Sequence, residues 1–147
     1  MTLPRQVARG LVFDENGRIL LVHWRDPVGG REFLEPPGGR HEPGESLEEA
    51  VRREVAEETG VVGVEVHGSV AELHKVFTFA GADYHSHEHY FVCTASGTEA
   101  RIPARDPLEQ AGIVGVEWVP LDDLAGYPDG YLEPPELLEM LRRLGRF

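Results

Sequence analysis

Three carboxylates near the end of one predicted helix, Glu54, Glu57 and Glu58, are the residues of this chain best placed to do chemistry. Clustered carboxylate oxygens are hard ligands, the kind that Mg2+ or Mn2+ prefers. The helix that must carry them has clear ends. Ser46 and Glu49 form an S-x-x-E capping box, and Gly60 follows Thr59 as a stop. The pattern therefore predicts a helix over Leu47 to Thr59. Advancing about 100° per residue from Leu47, Ala50, Val51 and Val55 make one apolar stripe. On the same wheel Glu54 falls at about 340° and Glu58 at about 20°, within the stripe, and Glu57 at about 280° borders it. An apolar stripe faces the core, so these acids face it too. A buried carboxylate must be protonated, paired or bound to a cation. Arg53 can pair with one of them; a divalent ion could bind several. A solvated acidic helix end is the plainer alternative, and the preceding loop has to decide.

That loop reads Glu35-Pro36-Pro37-Gly38-Gly39, then Pro43-Gly44-Glu45. Paired glycines turn sharply and let backbone approach closely. A carbonyl from such a turn can join carboxylates around a metal. Glu45, at the helix entrance, can orient Arg53 by a charge-assisted hydrogen bond.

Gly39, Glu45, Arg53, Glu54, Val55, Glu57, Glu58, Gly60 and Val61 fill every fixed position of the pattern G-x5-E-x7-R-E-U-x-E-E-x-G-U, where U is aliphatic. The segment resembles the Nudix box. The resemblance implies an α/β fold, the α/β/α sandwich with a mixed β-sheet. It also implies Mg2+-dependent hydrolysis, with Mn2+ able to substitute, of the pyrophosphate bond in a nucleoside diphosphate linked to a further group. Glu54, Glu57 and Glu58 would be metal ligands, one of them also taking a proton, and the Gly38 carbonyl a further ligand. Arg53 would hold the carboxylate geometry and Glu45 would hold Arg53. Related enzymes often bring another acid from the loop before the last strand; Glu109 is the candidate, with Asp106 and Glu88 as rivals. Homodimers are common in the family. Members acting on ADP-ribose often carry a proline beyond the box, and those acting on diadenosine polyphosphates a tyrosine. Val76, Phe77 and Thr78 occupy that region here, which leaves nucleoside triphosphates slightly favoured. A non-catalytic module binding a nucleotide or an ADP-ribose-like ligand is the alternative, although a degraded box would suit it better.

The whole chain bounds these readings. Its 147 residues fit one domain, 1–147, with a proper core. A net charge of −12 argues against nucleic acid as a partner. It also means that an anionic substrate needs cations between itself and the protein. No apolar run is long enough to span a membrane, and the N-terminus lacks a signal peptide's apolar core. The single cysteine, Cys93, fits a reducing cytoplasm and reads as a buried inert thiol. No G-x-x-x-x-G-K-[ST] loop or G-x-S-x-G elbow is present, which excludes a P-loop nucleotidase and argues against a serine hydrolase.

The elements that must position the acids are mostly strands. Val7–Phe13 and Ile19–Trp24 flank Asp14–Gly17 as a predicted hairpin. Val62–Val66, Val70–Phe79, Glu88–Thr94 and Val114–Val119 read as further strands, with Gly81–Asp83 as a turn. A short helix follows Pro120, and a terminal helix opens at Pro134 with Leu137, Leu138, Leu141 and Leu144 on one side. Trp24, Phe33, Phe77, Phe79, Tyr84, Tyr127 and Tyr131 are candidates to sandwich a base. His85, His87 and His89 alternate, so a strand would project them from one face, with His74 on a neighbouring strand. They read as a partly exposed strand face in preference to a second metal site.

Overall fold

A computed structural model describes residues 4–96 and 112–146. Among the described residues, seven strands form one mixed sheet: β1 (Arg5–Phe13), β2 (Arg18–Arg25), β3 (Glu32–Glu35), β4 (Gly38–Arg40), β5 (Glu65–Phe79), β6 (Ala82–Thr94) and β7 (Ile113–Pro120). The main path runs β3-β2-β1-β6-β5, with β4 added to β1 and β7 to β2. β1 and β6 are parallel; the other pairs are antiparallel.

The predicted hairpin turn is present, with Asp14 accepting from the backbone N–H groups of Asn16 and Arg18. Its strands meet at Phe13–Ile19 and then take other partners, β1 joining β4 and β2 joining β3 and β7. The expected break between Val66 and Val70 is absent. β5 runs through it as one strand, with register shifts at Val66/Gly68 and Ser69/Ala71, where bulges absorb the glycine. The turn predicted over Gly81–Asp83 is tighter. Ala80 (φ 53°) and Gly81 (φ 79°) make the reversal, and β6 resumes at Ala82.

Helix α1 (Leu47–Thr59) has the predicted ends, with both capping-box hydrogen bonds and Gly60 in the left-handed conformation. It lies on one face of the sheet, where Val51 and Val55 pack with Ala8, Val12, Leu20, Phe91 and Cys93. The opposite face packs Leu11, Leu21, Leu34 and Tyr90 against Leu124 of a 3-10 helix (Leu121–Gly126) and against α2 (Leu137–Arg143). α2 starts three residues after Pro134 and buries Leu137, Met140 and Leu141. Two apolar faces covered by helical segments are the α/β/α arrangement expected from the box. They also explain why β1 from Val7 onward is buried on both sides.

Candidate active site

α1 delivers its acids where the apolar stripe meets the sheet. Glu58 is 3% exposed and Glu54 9%, whereas Glu57 is exposed to solvent. Strand β4 makes this approach sterically feasible. The Gly38 N–H donates to Glu58 Oε1 at 2.8 Å. A Cβ on Gly39 would lie 2.5 Å from the carboxyl carbon of Glu54, and one on Gly38 would lie 2.3 Å from the Ala8 carbonyl oxygen. The two glycines are therefore close-approach residues in an extended strand, not the turn the sequence pattern predicts.

Arg53 ties the helix acids to the loop. Its Nη2 and Nε donate to Glu45 Oε1 and Oε2 at 2.7 and 3.1 Å, a bidentate pair. Its Nη1 reaches Glu54 Oε1 at 2.8 Å and Glu57 Oε2 at 3.3 Å, and Nη2 also donates to the Arg40 carbonyl. The Arg53 hydrogen bonds hold Glu45 down to about 2. Glu54 is shifted the other way: burial raises it, and Arg53 opposes this only in part. Glu58 lies well above the ordinary carboxylate range, first because of burial and then because of the Glu54 charge.

Glu54 and Glu58 line one wall of a cavity of about 310 Å³. The other walls come from the outward-alternating side chains of β1, β5 and β6 and from β2 and β3. Arg9, Lys75 and Glu35 are polar there, and Trp24, Phe33, Phe77, Phe79 and Tyr84 aromatic. Phe77 and Tyr84 stack at 5.2 Å, while Trp24 and Phe33 meet Phe79 edge-on. Tyr127 and Tyr131 pack instead beside the core under α2.

Arg9 is 7% exposed and makes a second ionic knot. Its Nε donates to Glu88 Oε1 at 2.6 Å, and Nη1 lies 3.1 Å from Glu35 Oε1 and donates to the Pro36 carbonyl. Lys75 reaches Glu35 at 3.4 Å and Glu133 at 3.7 Å. Burial alone would raise Glu88, but Arg9, Lys75 and the Ser86 hydroxyl hold it down to about 2. Glu88 is thus committed to the knot, which sets it apart from the helix acids. Glu109 and Asp106 lie outside the described residues.

Sequence reading missed Arg9 and Lys75 as site residues. A signal existed for Arg9: it stands in an apolar strand at alternate spacing from Val7 and Leu11, where a cation needs a buried partner. Cys93 is buried and pushed up to about 12 by that burial, consistent with an inert thiol.

The sequence matches the NUDIX domain family over residues 3–141. An 8-oxo-dGTP diphosphatase of Haemophilus influenzae is 38% identical over 74 residues, 50% of this chain and 51% of that protein. The matched segment thus spans about half the length of that relative. Among solved structures, a MutT NUDIX hydrolase from Burkholderia pseudomallei superposes with a TM-score of 0.67 at 25% identity, covering 95% of this chain and 99% of that one. The NUDIX domain of Shewanella oneidensis NrtR, complexed with ADP-ribose, shares the fold with a TM-score of 0.68 at 23% identity, covering 98% of this chain and 90% of that one. With Gly39, Glu54 and Glu58 of the box lining one cavity and the family match spanning nearly its whole length, this chain belongs to the NUDIX domain family.

Proposed function

We propose that this protein hydrolyses a phosphoanhydride bond of a nucleoside diphosphate linked to a further group, with a nucleoside triphosphate as the favoured substrate. One observation carries the reading. Two nearly buried carboxylates, both shifted upward, share a cavity with cations and a set of aromatic rings.

The donor set fits a hard divalent ion. Glu54 and Glu58 offer carboxylate oxygens crowded together and raised by burial, and Glu57 is exposed one turn away from Glu54. Glu54, Glu57, Glu58 and the Gly38 carbonyl would hold Mg2+ or Mn2+. When bound, such an ion supplies positive charge to phosphate oxygens and to the attacking water.

The chain's own residues do the rest. Arg53, fixed by Glu45 and the Arg40 carbonyl, keeps Glu54 and Glu57 in register. Arg5 and Arg40 line the cavity and offer cations to a phosphate chain. Phe77 with Tyr84, and Trp24 with Phe79, offer faces for a base. Water attacks phosphorus, the bridging P–O bond breaks, and a carboxylate of the set takes the water proton. Carboxylates shifted upward suit that task near neutral pH.

The name of the Haemophilus relative makes 8-oxo-dGTP the first substrate to assay. Purified protein is offered Mg2+ with 8-oxo-dGTP, ordinary nucleoside triphosphates, nucleotide sugars, ADP-ribose and dinucleoside polyphosphates. Glu58→Gln and Glu57→Gln are expected to lower kcat, Glu58→Gln by on the order of 10²–10³-fold. Unchanged turnover in both variants rejects the assigned roles. Tight binding without Mg2+-dependent turnover of any compound would make the chain a ligand-binding module instead.

A further inference from the structure

The side of the β5–β6 hairpin facing away from the cavity carries a second cluster of ligating groups. Strand alternation sends Ser86, Glu88 and Tyr90 to the Arg9 side, and His87 and His89 to the face on which α1 packs against Phe91 and Cys93. Across the ladder, Glu72 pairs with His89 and His74 with His87. This gives a two-by-two array of one carboxylate and three imidazoles. Glu72 Oε1 lies 2.7 Å from His87 Nε2 and 3.5 Å from His89 Nδ1. One ligand atom from each of the three residues fits within a 4.8 Å span.

The second ring nitrogen of His89 is also occupied. His89 Nε2 lies 2.9 Å from the Gln6 side-chain amide, so that amide holds the far edge of the ring while Nδ1 is turned toward Glu72. A protein acceptor holding the far ring N–H is the usual support of a metal-bound histidine. His74 stacks on His87 with ring centroids 4.4 Å apart and is the nearest further imidazole.

We propose that Glu72, His87 and His89 form a binding site for a borderline divalent transition ion of the Zn2+ class, separate from the helix carboxylates. Two imidazoles and one carboxylate are a ligand set that Zn2+ takes readily and that Mg2+, an oxygen-seeking ion, does not. The two sites therefore divide by ligand chemistry: oxygen on the box helix, mixed nitrogen and oxygen on the hairpin. An ion here would clip β5 to β6 directly behind Lys75 and Glu88, and so stiffen the strands that wall the cavity.

The test uses tag-free, chelator-stripped full chain titrated with Zn2+ in a calorimeter under excess Mg2+, and with Co2+ in a spectrophotometer. One equivalent of Zn2+ is expected to bind, and Co2+ to give a visible d–d band. His87→Ala/His89→Ala should abolish both, while Gln6→Ala should weaken Zn2+ by about tenfold or more. Glu58→Gln, which alters only the box carboxylates, should leave both signals in place. Equal Zn2+ binding by wild type and the double histidine variant, or loss of Zn2+ binding on adding Mg2+, overturns the proposal. The mild Gln6→Ala change keeps the test valid should the double variant lose its fold: an unaltered affinity in Gln6→Ala then counts against the site.

Discussion

Arg9 and Arg53 each gather glutamates, but they do so under different charge balance. Around Arg9, the three cations Arg9, Lys75 and Arg31 meet the three acids Glu35, Glu88 and Glu133. Every described partner is within reach of an opposite charge, and Glu88 ionises easily although it is fully buried. Around Arg53, a single guanidinium serves Glu45, Glu54 and Glu57, with Glu58 behind them. Glu45 takes the best geometry, and the inner acids are left shifted upward. Burial alone therefore does not decide how a carboxylate behaves. The balance between burial and the partners the fold supplies does, and two nearly buried acids of α1 that stay raised despite Arg53 and Arg9 are the physical argument for an ion brought from outside.

The largest test of this contrast removes the centre of the balanced knot. Arg9→Met should cost about 3–5 kcal/mol of folding stability in a urea titration, because it strands buried Glu88 and Glu35. Adding Glu88→Gln should restore part of it. A loss under about 1 kcal/mol would mean the knot is effectively solvated and the comparison fails.

Arg53→Lys should act on turnover more than on stability. A lysine cannot hold Glu45 bidentately while also reaching Glu54 and the Arg40 carbonyl. We expect kcat to fall by about 10–100-fold, with a raised Mg2+ requirement and little change in Tm. A drop in Tm with turnover intact would make Arg53 a structural strut.

The smallest effect is in pH. Glu45 sits at about 2 in the folded chain against an ordinary 4.5. A depressed carboxylate stabilises the fold above its ordinary value, and that contribution is lost as pH falls toward the folded value. Glu45→Gln should therefore flatten the stability profile between those two values and, above them, lower stability by an amount that no longer changes with pH. Because the pair is partly exposed, salt should shrink the difference.

Legibility followed the range of the interactions involved. The capping box, the Gly60 stop and the inward turn of Glu54 and Glu58 are local, set by residues three or four apart, and the structure shows each of them. The splayed β1–β2 hairpin, the continuous β5 and the strand at Gly38–Arg40 were not legible, because each depends on a partner far along the chain. The histidine row was visible in the sequence, but Glu72 and Gln6, which give it meaning, come from other strands.

By itself, the sequence determined a helix carrying acids on its apolar side and the family pattern around it, since both are written in spacing along one short segment. Only the tertiary structure decided how each acid is surrounded. That depends on β1, β5 and β6 bringing Arg9 and Lys75 to Glu88, while the side-chain-free Gly38 and Gly39 let strand β4 close over Glu54 and Glu58 and bury them.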